Sequence, residues 1–501
     1  MLFSHSFATI VLCALTLPVS NALPVPSTSD YTTDVSSSDN SPIGADAYIP
    51  DASSNANNSG TPADYTSYDC PSSSVPPDSH TPSNTTSDNS ATVKNSTAGT
   101  SFPDPPACRK PATVVLDGQK LMNIKCRVKS GELSLQSELN GLLSQADSWM
   151  TQGPWSVVNN LKSVPNGNSH DYASQAPYWW PNNWEDPDSG DVCPYVQRDG
   201  VFNPETNQYT SKADRLSMFE ASYTLSLAWY HSDNSSYRVH AADIIKTWFI
   251  NEATAMNPNL AHSQLIPCAN DGRSIGIIDF SQMYTDVLDA ASILSLDYDD
   301  SWSQNDEAVF RQWNSDYLTW LTQSDFGKAE LSAENNHATF ALLQVAGIAS
   351  YVGQTDLART TVESTKSLID SYISQDGTQP LELERTRSWH YSTFNLVAYT
   401  RLADIGTLLN VDLWNYYGPD GQSIKGAIDF LIPYATGSQE WPYEELNFIQ
   451  YAASDVINAA ADHNDQYAQS ALPDIAYSPI GNQWSLRPSA EQLDNIVTTE
   501  S

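Results

Sequence analysis

Basic side chains are scarce: 23 Lys and Arg stand against 59 Asp and Glu in 501 residues, a formal net charge of −36. That argues against a nucleic-acid partner, because a phosphate backbone is held by clustered Lys and Arg and few are available to cluster. Long apolar runs are missing beyond the N-terminus; no later stretch approaches the roughly 20 residues that span a bilayer, so no membrane-embedded part is expected. Only six cysteines occur and none form a C-x-x-C pair, which removes a zinc ribbon. H-E-x-x-H, G-x-G-x-x-G and P-loop patterns are also absent, so zinc-protease, dinucleotide and nucleotide readings lack their carrying residues. His170, His262 and His390 have no metal-ligand spacing to one another, and neither a metal nor a cofactor is expected.

Phe7 to Leu17 is an apolar stretch followed by the small residues Ser20-Asn21-Ala22, which reads as a signal peptide over residues 1–22 and a secreted, extracellular protein. Residues 23–107 are Ser, Thr, Pro, Asn and Asp with almost no periodic apolar residue, too little to offset the entropy of ordering them, so a disordered leader is expected. It carries −9 of the charge and leaves −27 on the rest. Sequons at Asn57, Asn84, Asn95 and Asn234 fit a glycosylated chain. With Cys13 in the signal, disulfides are the natural reading of the five remaining cysteines: Cys108 with Cys126 and Cys193 with Cys268, leaving Cys70, although spacing alone leaves connectivity open.

The folded part, residues 108–501, is helical in pattern. Leu135, Leu139, Leu142, Ala146 and Trp149 recur at three and four, as do Met218, Ala221, Leu225 and Ala228, and Phe310, Trp313, Tyr317 and Trp320. Further helices are predicted near 236–251, 280–295, 338–351, 355–373, 394–409, 422–434 and 444–461. Helices of about four turns with little strand alternation between them predict an all-α architecture of packed helix hairpins.

Three constellations carry chemistry. His170-Asp171-Tyr172 precedes Tyr178-Trp179-Trp180-Pro181 and Trp184, and flat aromatic faces with polar edges suit sugar rings, although such rings also plug apolar gaps. Asn335-Asn336-His337 precedes an apolar helical run; one Asn suits an N-cap, and the remaining amide with the imidazole forms a donor cluster. Arg385-Thr386-Arg387-Ser388-Trp389-His390-Tyr391 is the densest polar stretch. If it is helical, Arg387 and Tyr391 share a face and Arg385 points elsewhere; a salt-bridged surface segment using Glu382 and Glu384 is the plainer account. Arg273 sits in a turn from which it reaches an anionic ligand or solvent.

The succession His170-Asp171-Tyr172, Tyr178-Trp179-Trp180-Pro181, Arg198-Asp199-Gly200, Met256-Asn257-Pro258-Asn259-Leu260, Gly272-Arg273 to Gly276, Asn335-Asn336-His337 and Arg385 to Ser392 resembles the alginate lyase domain of polysaccharide lyases, over about residues 165–435. The resemblance implies an (α/α) toroid, an incomplete barrel of helix hairpins, acting on an acidic polysaccharide by β-elimination. It implies Asn336, His337, Arg387 and Tyr391 as catalytic residues, with Arg385 the alternative arginine. Tyr178, Trp179, Trp180, His170, Tyr172, Arg273, Arg385 and His390 are the expected substrate-binding residues.

The residue types fit that chemistry. Removing the C5 proton of a uronate builds charge beside an existing carboxylate, so Asn336, His337 and an arginine are needed to neutralise it, each preorganised donor worth roughly 3 to 4 kcal/mol of barrier. In β-linked glucuronate or mannuronate the C5 proton and C4 oxygen lie on the same side, so one Tyr391 phenolate serves both, with a neighbouring arginine expected to lower its pKa. For a C5 epimer, His337 is the candidate base. The expectation is a secreted, monomeric lyase of β-1,4-linked uronates, either glucuronan or mannuronate-type alginate. The rivals are a glycoside hydrolase using two of Glu334, Glu382 and Glu384, and a glycan-binding protein without chemistry. Because the repulsion between a chain at −36 and a polyanion is screened beyond about 8 Å at physiological salt and reaches farther as salt is removed, capture of a polyuronate is predicted to weaken at low salt; a rate that rises steadily as salt is removed contradicts this.

Overall fold

The computed structural model describes residues 108–488, apart from 163, 165, 166 and 282. The expected signal peptide and leader, Cys70, and the sequons at Asn57, Asn84 and Asn95 lie outside the described residues. Fourteen α-helices are described: α1 (Gly118–Lys129), α2 (Leu133–Trp149), α3 (Ser211–Ser232), α4 (Ser235–Phe249), α5 (Tyr284–Leu294), α6 (Gln304–Gln323), α7 (Asp325–Leu331), α8 (Asn336–Tyr351), α9 (Thr355–Tyr372), α10 (Pro380–Leu383), α11 (Ser388–Leu409), α12 (Ile424–Ala435), α13 (Ser454–Asp462) and α14 (Gln466–Ala471). Four short strands, β1 (Ala173–Gln175), β2 (Trp179–Trp180), β3 (Val196–Gln197) and β4 (His262–Leu265), form a parallel β1–β4 pair and an antiparallel β2–β3 ribbon.

The fold is all-α, built as the hairpin pattern predicted. Helices α3, α5, α8, α11 and α13 pack side by side as an inner row, and α4, α6, α9 and α12 lie against it. Composition decides which row a helix joins. Every residue of α5 is buried, and α8 and α11 are buried on nearly all sides, mostly with apolar or small side chains and with the charges partnered, as Arg401 of α11 is with Asp286 of α5. Outer α9 buries only the stripe Ala358, Thr361, Val362, Thr365 and Ile369. Inner and outer rows lock through rings such as Tyr284 of α5 on Tyr317 of α6, 6.0 Å between centroids. Among the described residues no helix is long and apolar enough to cross a membrane.

Caps set several helix starts. Ser303 and Asp306 form a capping box at α6, and Ser423 caps α12. The helix predicted over 444–461 is present only in its second half. Residues 444–446 are drawn instead across the start of α11: the Ser388 N–H donates to Glu444 O at 3.2 Å and the Leu446 N–H to Thr386 O at 3.0 Å. Those long-range bonds override the local helical pattern.

Both expected disulfides are present, Cys108–Cys126 and Cys193–Cys268. The segment after Cys108 crosses the inner row, where the buried carboxylate of Asp289 on α5 accepts the backbone N–H groups of Val114, Val115 and Leu116. Asp289→Ala leaves those buried donors without a partner and is predicted to destabilise the protein by about 3 kcal/mol or more, read as a lower urea midpoint; an unchanged midpoint would show the strap is not anchored there.

Candidate active site

Two helix starts build the site. At α8, Asn335 is the N-cap, its side chain accepting the His337 N–H at 3.2 Å, so the backbone uses Asn335 and leaves Asn336 free for other partners. Asn336 is 0% exposed; its N–H and Nδ2 donate to the Glu382 carboxylate at 2.8 and 2.7 Å, and its Oδ1 has no partner. Glu382 lies on α10 at 1% exposure, and burial pushes its carboxyl above the usual range against the bonds from Asn336 and the charges of Arg385 and His337. The Asn336 amide therefore already serves a protein carboxylate, and its second Nδ2 hydrogen is the donor left for a ligand. His337 Nδ1 lies 2.6 Å from Oε1 of Glu330, itself buried at the end of α7. A carboxylate there holds the ring proton on Nδ1 and leaves Nε2 as an acceptor.

At the start of α11, the Tyr391 hydroxyl is 2.9 Å from that of Tyr178, and the Arg385 guanidinium lies 3.8 Å from its ring centroid. Arg385 is held there by Asp199, through Nε at 3.1 Å and Nη2 at 2.6 Å. The two helix starts meet through adjacent side chains: Phe340, one turn into α8, and Phe394, nearly two turns into α11, have centroids 4.2 Å apart.

Two expectations about this segment are overturned. Arg387 is not helical but forms the N-cap of α11, at φ −122° and ψ 56°, and Arg385 is the arginine on the Tyr391 ring. Burial, with the Tyr178 oxygen next, pushes the Tyr391 phenol well above its ordinary value although Arg385 pulls the other way; the predicted fall does not occur. Arg387 is 6% exposed with Nε and Nη2 unpartnered. Gly200, at φ +74°, makes room for it: a Cβ there would lie 2.4 Å from Thr386 Oγ1 and 3.1 Å from Arg387 Cγ.

The expected substrate-binding residues divide. Tyr178 reaches Tyr391. Arg273 bonds Gln264 through Nε and Nη2, each at 3.0 Å, and lies 5.8 Å over Trp179, with the charges of Asp279 and Glu330 close by. Trp179 packs against Ala176, Tyr195 and Ile266, while Trp180 flanks Arg198. His170 is half-buried with Nδ1 2.6 Å from Ala255 O. Tyr172 and His390 are corrections. Tyr172 is 0% exposed, its ring against Phe280 and its hydroxyl donating to Asp279 at 3.0 Å, because it enters the buried β1–β4 pair. His390 sits on an all-round buried helix, stacked on Phe394, and burial with the Arg387 and Arg385 charges keeps it neutral.

Sequence reasoning missed Glu330 and Asp199. A helix break separates Glu330 from His337, so no periodicity links them, and Asp199 is 186 residues from Arg385. Among the described residues no group of three or more His, Cys, Asp or Glu is placed to hold a metal ion.

The alginate lyase family model matches residues 156–441. The chain belongs to the alginate lyase family. It is a polysaccharide lyase. The solved structure of an alginate lyase from Bacteroides ovatus is 30% identical, with a TM-score of 0.70 over 76% of this chain and 100% of that one. Alginate lyase A1-III from Sphingomonas species A1 matches at 13% identity and a TM-score of 0.43, over 69% of this chain and 93% of that one. Among curated proteins no sequence relative is found.

In this lyase, Glu330→Gln is predicted to release His337 from its fixed tautomer and lower turnover on the order of 10²-fold or more with the fold intact. Full activity in a variant of unchanged thermal midpoint would remove Glu330 from the site's working parts.

Proposed function

We propose that this lyase cleaves β-1,4-linked uronate polymers, mannuronate-type alginate or glucuronan, by β-elimination, with Tyr391 moving the proton. The observation that carries this reading is the setting of Tyr391: a buried phenol with a cation on its ring face and a second hydroxyl on its oxygen. Those two groups stabilise a phenolate when it forms, Arg385 by charge and Tyr178 by donating its hydrogen bond. The phenolate takes the C5 proton and returns it to the departing C4 oxygen as the C4–O bond breaks and the C4–C5 double bond forms.

Neutralisation of the sugar carboxylate falls to Arg387, whose buried guanidinium keeps Nε and Nη2 without a hydrogen-bond partner, and to the remaining Asn336 donor. Substrate contacts are proposed for Tyr178, Arg273 and the exposed parts of Trp179 and Trp180. The hydrolase alternative finds less support: Glu334 and Glu384 are exposed and Glu382 is bonded to Asn336. A second reading rests on the free Nε2 that Glu330 leaves on His337: for a C5 epimer, His337 is the base and the resting Tyr391 phenol the acid. Secretion, with residues 1–22 as signal and 23–107 as leader, is part of the proposal, and the two disulfides fit an oxidising compartment.

The test is product chemistry across polymannuronate, polyguluronate, glucuronan and chondroitin. Elimination yields an unsaturated uronide absorbing in the ultraviolet; reducing ends without that absorbance mean hydrolysis. Tyr391→Phe is predicted to cut turnover on the order of 10³-fold while binding persists, and a fully active variant refutes the assignment. Because burial holds the resting phenol protonated, the phenolate fraction and the rate should climb with pH through the alkaline range. A rate flat or falling from pH 7 to 9 contradicts Tyr391 as the base.

A further inference from the structure

The β2–β3 ribbon carries more than this site uses. Its register pairs Trp179 with Gln197 and Trp180 with Val196, and the next rung sets Tyr178 opposite Arg198, whose N–H donates to Tyr178 O at 2.8 Å. Side chains alternate along a strand, so Tyr178, Trp180 and Arg198 share one face and Trp179 takes the other. The shared face is the one on which Tyr178 meets Tyr391.

Arg198 lies in the corner made by two indoles that meet edge-on at 68°, 3.8 Å from the Trp184 ring centroid and 4.8 Å from that of Trp180. Among the described residues four arginines make no ion pair with a carboxylate: Arg198, Arg215, Arg273 and Arg387. Arg215 is sealed in the core against Phe219. The other three surround one segment, with Arg273 over Trp179 and Arg387 against Gly200, two residues beyond Arg198. In so acidic a chain, guanidiniums without an ion pair, gathered in one place, mark where an anion is received. Arg198 is half-exposed, and contact with the two rings restrains a guanidinium whose side chain has no hydrogen-bonded acceptor among the described residues, so a carboxylate can take it.

We propose that Arg198, set in the corner of Trp180 and Trp184, is the carboxylate-recognition element of a sugar subsite adjoining the reaction centre, taking the uronate next to the one whose bond is broken. This rests on the reading of the substrate as a polyuronate. The reach fits: residues directly opposite on an antiparallel pair lie about 5 Å apart at Cα, about one sugar unit from Tyr178. The indole edges beside the guanidinium offer the sugar ring an apolar face.

The test uses Arg198→Gln and Arg198→Lys in the full chain, with steady-state kinetics on the polymer and on uronate oligomers of defined length, followed by ultraviolet absorbance, and a thermal midpoint for each variant. Arg198→Gln should raise KM for polymer and longer oligomers on the order of tenfold, acting on KM far more than on kcat, while the shortest cleavable oligomer, which does not span the subsite, keeps its KM. Arg198→Lys should recover part of the loss. A KM change equal at all lengths, no change beyond twofold at any length, or a lowered midpoint without length dependence overturns the subsite and leaves the elimination reading standing. Absence of unsaturated product from every uronate polymer with the unaltered protein overturns that reading and the subsite with it.

Discussion

The buried carboxylate of Glu382 ties the two halves of the site together. It accepts both the N–H and the Nδ2 of Asn336, and the chain runs from it within nine residues to Tyr391. Few arrangements tolerate a carboxyl at 1% exposure, because its burial is costly unless its oxygens are matched by donors. Asn336 can supply those donors only from the first turn of α8, where an N–H has no helical partner. The requirement sets the register between the start of α8 and the approach to α11, and the packing of Phe340 on Phe394 continues it.

A second constraint is electrostatic. The chain is strongly acidic, yet it gathers Arg198, Arg273, Arg385 and Arg387 around the aromatic segment and the start of α11. Only Arg385 is matched to a carboxylate, Asp199, and that bond aims it at the Tyr391 ring. Screening lets such a local concentration of cations act where the distant net charge does not. The same carboxylate pairing recurs at His337, where Glu330 fixes the ring and leaves Nε2 available. Carboxylates in this site thus orient the groups that act rather than acting themselves.

Much of the architecture was legible along the chain. Periodicities at Leu135 to Trp149, Met218 to Ala228 and Phe310 to Trp320 lie on α2, α3 and α6, and the apolar run after His337 is α8. The predicted helix over 444–461 shows the limit: residues 444–446 form backbone bonds to residues 386–388, more than fifty positions away, and no local pattern records that. Tyr172 and His390 show it for the site, since both carry polar groups suited to sugars yet lie inside the protein with internal partners.

By itself the sequence determined where the apolar periodicity makes helices, that one Asn before the run at 338–348 caps it, and that amide, imidazole, guanidinium and phenol groups are concentrated in two motifs; periodicity and capping are short-range properties encoded within a few residues. Only the tertiary structure decided that Arg385 rather than Arg387 covers Tyr391, that Asn336 gives its donors to Glu382, and that Tyr391 rests as a neutral phenol. Each of these depends on burial and on partners tens to hundreds of residues away, and the free energy of a charge or a hydrogen bond is set by those surroundings.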